Sequence, residues 1–447
     1  MIQRIEYLGR LAKLRDKQTV KVLSGIRGCG KTTLLAMYID WLKRSGVEDR
    51  QIIYINMEEP ESESLLNYQG LYSYIKKRLC ADKTAYVFID EIHRCANYNK
   101  AIEGLFIRNR PGNAGSRNST GIDLYIAASN DCIISGIPYI EIKMLPLSFT
   151  EYRVFSRAGV PGREEELKEF SKHALQRKTP EEVPGRRLPR QKALLEKYLG
   201  REAFNNYLSF GGFPFAAAMG ADARLLKNCV GGIYNTVLVK DTASRAGIND
   251  IPLLEHIAKL MGGFIGSPLS TKKLSTAIGT KGRKISINTV EMYINALTAA
   301  FVFYHAGRFD IKTGKRLKTL GKYYIADTGI RNLLLENATP DLGGQLENIV
   351  YLELLYRGFD VCIGKYGISE VNFVVMENSG ENRKTAYFQV ANSVRDASVL
   401  DAKLFPLKRI QDNHPKYILS MDETPFRSNH GGIIQQNLID WLLDVKK

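Results

Sequence analysis

Between residues 20 and 160, short apolar runs alternate with stretches whose apolar residues recur every three or four positions. "TVKVLSG" reads as a buried strand, and "KTTLLAMYIDWLKRSG" as a helix closed by Gly46. "RQIIYINME" predicts a second strand and "SESLLNYQGLYSYIKKRL" a second helix. "TAYVFIDE", "DLYIAAS" and "YIEIKMLPLS" predict three more strands, with the polar, glycine-rich "NRPGNAGSRNSTG" as a loop before "DLYIAAS". Strands apolar along their length, alternating with helices, predict a parallel sheet covered on both faces: an α/β fold.

Beyond residue 160 the pattern changes. A charged stretch with Pro180, Pro184 and Pro189 predicts two helices joined by a basic linker. The stretch "ARLLKNCVGGIYNTVLVKDTASR" is helical in pattern. Three helices follow, in "IPLLEHIAKLMGG", "STKKLSTAIGT" and "SINTVEMYINALTAA", and then two β-rich runs around a glycine- and lysine-rich turn. Three short helices and a hairpin are the layout of a winged helix. The last hundred residues read as a helix, "QLENIVYLELLYRG", the strands "FDVCIGKYG", "EVNFVVMEN", "AYFQVANS" and "YILSMD", and a closing helix, "IIQQNLIDWLLDVK". The predicted divisions are 1–158, 159–249, 250–338 and 339–447.

Gly25-Ile26-Arg27-Gly28-Cys29-Gly30-Lys31-Thr32 fits G-x-x-x-x-G-K-[ST], between a predicted strand and a predicted helix. Such a loop curls backbone N–H groups around phosphates, and the helix N-terminus adds partial positive charge. Gly25, Arg27, Gly28, Cys29, Gly30, Lys31, Thr32 and Thr33 are therefore the expected contacts of ATP. Lys31 is expected on the β- and γ-phosphates and Thr32 on Mg²⁺. "YVFIDEIHR" delivers Asp90 and Glu91 at the end of a strand, where α/β sheets bind ligands. Asp90 is expected in the Mg²⁺ shell, and Glu91 as the residue that orients or deprotonates the attacking water. The paired carboxylates favour hydrolysis over transfer of phosphate to a metabolite. "IAASND" places Ser129 and Asn130 at the same edge, as γ-phosphate contacts or as turn formers; Asn130 is the expected nucleotide contact.

Composition adds a partner class. The 447 residues carry 63 Lys and Arg against 47 Asp and Glu, a net charge of +16, which favours a polyanion. From Ser270 to Lys322 eleven basic residues face only Glu291 and Asp310. A recognition helix starting near Ser286 would offer Asn288, Thr289 and Tyr293 to duplex DNA, and the turn Lys312–Lys318 a phosphate-touching wing. Lys272, Lys273, Lys281, Arg283, Lys284, Asn288, Thr289, Lys315 and Arg316 are the expected DNA contacts. The same layout also serves protein docking, and a lysine face can simply be solvated. The six cysteines are scattered with no CxxC pair, against a zinc site and a disulfide framework. The N-terminus lacks an apolar signal core, and no run approaches the ~20 apolar residues of a membrane span. These features predict a cytoplasmic protein with no membrane partner.

The stretches "GIRGCGKTTLL", "INMEEPE", "VFIDEIHR", "SND…LPLSFTEY", "YLSFGGFP", "YNTVLVKD", "INTVEMYINAL", "KYYIADTGIRN", "LENIVYLELLYRGFDV" and "EVNFVV…YFQVANS" together resemble a family of prokaryotic AAA-type ATP-binding proteins, nearly end to end. The resemblance implies a P-loop ATPase core, a helical lid, a winged helix and a C-terminal domain similar to restriction-endonuclease folds. Relatives commonly carry an arginine shortly before "LPLSF"; Ile137 and Pro138 stand there in this chain. Arg153, Arg245 or a residue of a second copy are the substitutes in view. A nuclease of the implied fold needs clustered carboxylates. Glu347 and Glu353 are present, but Asn372 and Gln389 stand where carboxylates are wanted, which implies a degenerate site. The combined expectation is an Mg-ATP-driven switch acting on DNA. The alternatives are a signalling or scaffold ATPase with a protein partner, and an ATP-dependent nuclease.

Overall fold

The computed structural model describes residues 4–80, 82–108, 121–132, 134–156, 190–219, 222–279, 285–336, 341–377, 384–423 and 428–443. The expected loop after residue 108, the proline-bearing linker, and Lys281, Arg283 and Lys284 lie outside them. The chain divides into two compact units, the break falling between Met144 and Leu145.

The first unit holds α1 (Ile5–Lys13), β1 (Val20–Ser24), α2 (Lys31–Arg44), β2 (Ile52–Asn56), α3 (Tyr68–Arg78), β3 (Ala85–Asp90), α4 (Tyr98–Arg108), β4 (Ile122–Ala128) and β5 (Tyr139–Lys143). Its five strands run in the order β2-β3-β4-β1-β5, all parallel. β1, β3 and β4 are buried at every position, which is why they read as unbroken apolar runs. Lys21 is the polar exception in β1. It is fully buried and paired with the Asp123 carboxylate, which also accepts from the Tyr125 hydroxyl. Val22, Ile55, Val87, Ile89 and Ile126 are part of one core cluster. Each such side chain contributes about 1.5–3 kcal/mol by leaving water.

The helix expected over "SESLLNYQGLYSYIKKRL" is broken. Pro60–Leu65 forms a 3₁₀ turn, and the Asn67 side chain, in extended backbone, accepts from the Gly70 N–H and starts α3. An asparagine that satisfies an orphan N–H restarts a helix more readily than it continues one.

The second unit begins with α5 (Phe149–Phe155), where Ser148 and Glu151 form a reciprocal capping box. It continues with α6 (Arg190–Phe210), α7 (Pro214–Ala218) and α8 (Ala223–Thr236), which runs into a π-helical stretch, Val237–Ser244. Then come α9 (Ile251–Gly263), α10 (Thr271–Gly279), α11 (Ile287–Ala299), β6 (Phe303–Asp310), β7 (Lys315–Ile325), α12 (Thr328–Leu335) and α13 (Leu342–Tyr356). The remainder is β8 (Phe359–Tyr366), β9 (Ser369–Glu377), β10 (Thr385–Ala391), α14 (Ala397–Arg409), β11 (Lys416–Ser420), β12 (Ser428–His430), β13 (Ile433–Asn437) and α15 (Leu438–Leu442).

The three-helix-and-hairpin order is present as α9, α10, α11 and β6–β7. The hairpin is also the edge of a larger sheet, ordered β12-β13-β11-β10-β9-β8-β6-β7. β6 pairs with β8 in parallel, Arg308 opposite Ile363 and Asp310 opposite Lys365. The closing helix expected over "IIQQNLIDWLLDVK" starts late. Ile433–Asn437 pairs with β11 as a strand, and Asn437 caps α15 by accepting from Asp440 N–H. No helix among the described residues is long and apolar enough to cross a membrane.

Candidate functional site

The parallel register brings the C-terminal ends of four strands to one level. Asn56 of β2 lies opposite Asp90 of β3, and Ser24 of β1 opposite Ala128 of β4. The loop from Gly25 to Gly30 leaves β1 at this edge and feeds α2. Gly28 and Gly30 have φ of 83° and 100°, left-handed values that a glycine adopts without strain. Gly25 has a different reason. A Cβ there would sit 2.1 Å from the Met144 carbonyl oxygen, because the end of β5 presses against the loop. Cys29 is buried, and its carbonyl accepts from the Arg4 guanidinium at 3.0 Å.

Lys31 is 4% exposed. Its ammonium donates to the Gly25 carbonyl at 2.9 Å, the Ile26 carbonyl at 3.3 Å and the Ser129 hydroxyl at 2.9 Å. Ser129 in turn donates through Oγ to Glu91, and its N–H reaches the other Glu91 oxygen at 3.0 Å. Lys31 lies 3.9 Å from the same carboxylate, and His93 Nδ1 3.2 Å from it. Thr32 donates through Oγ1 to Asp90 Oδ2 at 2.5 Å. Thr33, next in line, is exposed. Asn130 is buried, and its side-chain oxygen accepts the Asp131 N–H. Ser129 is thus the residue that joins Lys31 to Glu91. Arg27, at the crest of the loop, donates to both Glu58 oxygens, at 2.9 and 3.1 Å.

Burial acts on both carboxyls. At Asp90 it prevails over the Thr32 hydrogen bond and lifts the group above its ordinary value. At Glu91 burial is outweighed by Lys31, the Ser129 hydroxyl, His93 and Arg27, which together hold it below the usual glutamate range. The two neighbouring carboxyls are thus shifted in opposite directions. Glu91 also adopts φ 52°, a left-handed conformation that strains a non-glycine residue.

In the second unit Lys272 and Lys273 are exposed on α10, and Lys312, Lys315 and Lys318 are exposed on the hairpin. Arg316 is spent on the Asp360 carboxylate. On α11 Asn288 is exposed, Thr289 shares a hydrogen bond with Ser286, and Tyr293 is buried. The rest of the exposed α11 face is Ile287, Glu291, Met292 and Asn295, with no basic residue.

Glu347 of α13 meets Asn372 of β9, while Gln389 stands on the neighbouring strand β10. Asn372 donates its amide N–H to Glu347 at 2.6 Å, and its oxygen accepts from Val390 N–H at 3.0 Å and from Lys403 at 3.3 Å. An aspartate could not donate to Glu347, so the amide fits where a carboxylate would repel. Lys322, 3% exposed, reaches Glu347 at 3.0 Å and Glu370 at 2.5 Å, and Tyr324 donates to Glu347 at 2.6 Å. Gln389 turns away to the Glu370 carbonyl at 3.1 Å. Glu353 pairs with Arg357 at 2.7 Å. The Lys322 ammonium therefore already bridges two carboxylates of this centre, Glu347 and Glu370.

Ser129 was expected at the strand end but not as the link between Lys31 and Glu91, and Glu58 and Lys322 were not foreseen as partners. Only their positions beside strand ends could have flagged the first two. Nothing local marks Lys322 as buried.

Residues 17–153 match the family model described as an AAA domain, and residues 201–341 one described as a domain of unknown function, DUF8612. An uncharacterized protein of Haemophilus influenzae is 28% identical over 451 residues, spanning 99% of this chain and 99% of its own. A second, from Methanocaldococcus jannaschii, is 25% identical over 82% of this chain and 73% of its own. A solved Walker-type ATPase of Pyrococcus abyssi aligns with 75% of this chain and 96% of its own, at 13% identity and a TM-score of 0.41. The Aeropyrum pernix ORC1 protein, solved in complex with DNA, aligns with 75% and 93%, at 14% identity and a TM-score of 0.28.

Proposed function

We propose that the AAA-type ATPase domain at residues 17–153 binds and hydrolyses Mg-ATP, and that its nucleotide state governs contact between the second unit and duplex DNA. One observation carries the catalytic part: Lys31, Ser129 and Glu91 form a continuous hydrogen-bonded line beside the Thr32–Asp90 pair. Thr32 and Asp90 are an oxygen-only pair of the kind Mg²⁺ accepts while keeping several waters. When bound, the ion neutralises charge on the phosphate oxygens. Lys31 exchanges its loop carbonyls for the β- and γ-phosphates, and the N–H groups at the start of α2 hold the same oxygens. Glu91, kept ionised, accepts a proton from the attacking water. The water oxygen bonds to the γ-phosphorus, the bond from that phosphorus to the β–γ bridging oxygen breaks, and ADP leaves with that oxygen.

Lys31→Ala should abolish ATP binding in calorimetry. Glu91→Gln should bind ATP as the parent does yet release phosphate at least about 100-fold more slowly. Unchanged release from the second variant removes Glu91 from the chemistry.

The exposed lysines of α10 and the β6–β7 turn support the DNA reading. A protein partner is the second reading, supported by the basic-free face of α11, with Ile287 45% and Met292 46% exposed. Retention of duplex DNA at low salt, tried with and without ATP, separates the two. A cytoplasmic setting belongs to the same proposal, and the unbridged cysteines fit its reducing conditions.

A further inference from the structure

We infer that Arg27 is a catalytic arginine built into the phosphate loop, and that Glu58 holds it off the γ-phosphate until nucleotide arrives. This rests on the ATPase reading above.

Three observations support it. Ile137 and Pro138 stand ahead of "LPLSF", so those two positions bring no cation to the site. Arg27 is the one arginine inside the loop from Gly25 to Lys31, between the residues whose N–H groups face the phosphates. The Arg27 charge also favours the ionised form of Glu91, after Lys31, the Ser129 hydroxyl and His93. In this proposal Lys31 and Arg27 both meet the charge that develops on a transferring γ-phosphoryl group.

The present partner of Arg27 has the properties of a latch. Glu58 lies two residues beyond the end of β2, and its backbone N–H is fixed by the Asn56 side chain at 3.0 Å. The Arg27 and Glu58 side chains are 18% and 35% exposed, so the pair sits where water weakens it. A partly exposed ion pair is weakened by water, and a phosphate carrying more negative charge competes well against a carboxylate. Both hydrogen bonds to Glu58 come from one guanidinium nitrogen, a looser grip than two parallel bonds from two nitrogens. Binding of ATP thus moves the guanidinium from Glu58 to the γ-phosphate. ADP, lacking that group, leaves the latch closed.

The test compares binding and turnover in the full chain. Arg27→Ala should bind ADP within about threefold of the parent. Its turnover should fall by about 10³-fold, within the range set by arginines acting on transferring phosphates. Its affinity for ADP–aluminium fluoride, which mimics the transferring phosphoryl group, should fall with turnover while ADP affinity does not. Arg27→Lys should recover part of the loss, since it restores charge without the planar fork. Glu58→Gln should raise ATP affinity several-fold, and should do nothing in the Arg27→Ala background. Turnover and analogue affinity of Arg27→Ala within threefold of the parent would overturn the assignment, as would an equal effect of Glu58→Gln in both backgrounds. If the parent neither binds nor hydrolyses ATP, the ATPase reading itself fails; if it does both and Arg27→Ala is unchanged, only this inference fails.

Discussion

The Ser129 hydroxyl accepts a hydrogen bond from Lys31 and gives one to Glu91. That donation favours the ionised carboxylate, so its loss must raise the Glu91 pKa. The parent's turnover should then stay flat as pH falls from 8 to about 5, because Glu91 lies below the usual glutamate value. Ser129→Ala should move the acid limb of the kcat profile upward by about one unit, the worth of a hydrogen bond to a charge. A limb that stays put would show that Lys31, His93 and Arg27 suffice. The Gly25–Thr32 motif and the Asp90-Glu91 pair were legible because each is contiguous in sequence. The Ser129–Glu91 and Arg27–Glu58 pairs were not. Each joins two strand ends, and their meeting depends on the strand order of the sheet.

Among the elements, α12 shows how two distant stretches of sequence explain each other. Asp327 caps α12 by accepting from Gly329 and Ile330 N–H, and it also accepts Gly212 N–H at 2.6 Å. Gly211 has φ 83°, and a Cβ there would lie 1.8 Å from the Asp327 carboxylate. "SFGGFP" and "IADTGIRN" are thus two halves of one contact. Burial pushes the Asp327 carboxyl up to about 6, against its three N–H partners. A carboxyl raised on folding favours the fold when protonated. Its contribution is present below about pH 4 and is lost as pH rises through about 6. The parent minus Asp327→Asn difference in thermal midpoint should therefore shrink or reverse between pH 4 and pH 7. A difference that grows with pH would mean that the three N–H groups outweigh burial. The first unit's strands were readable because burial on both faces leaves an unbroken apolar run. The break before α3 and the late start of α15 were missed because each rests on a single capping asparagine.

Over the whole molecule, the charge count overstates the basic charge left without an acidic partner. Of the basic residues between Ser270 and Lys322, Lys322 is buried against two carboxylates and Arg316 is paired with Asp360. Lys272, Lys273 and Lys315 are among the exposed lysines. If they touch phosphate, replacing all three with alanine should weaken duplex binding evenly across sequences. The slope of log affinity against log salt should fall by about 0.9 for each phosphate no longer neutralised. An unchanged slope would shift the polyanion partner elsewhere or favour the protein partner. Sequence periodicity also could not register the pairing of Arg308 with Ile363, since parallel neighbours leave no local signature.

That pairing sets an order of events during synthesis. The β6–β7 hairpin leaves the ribosome before β8 exists, so the β6 edge must wait with its N–H and C=O groups unpaired. For that interval the nascent chain offers an open template to any other strand. β6 gains that partner only once β8, which lies beyond the helix that carries Glu347, has followed it out. A chain interrupted after α12 would keep that edge open, a site at which association with other strands is expected.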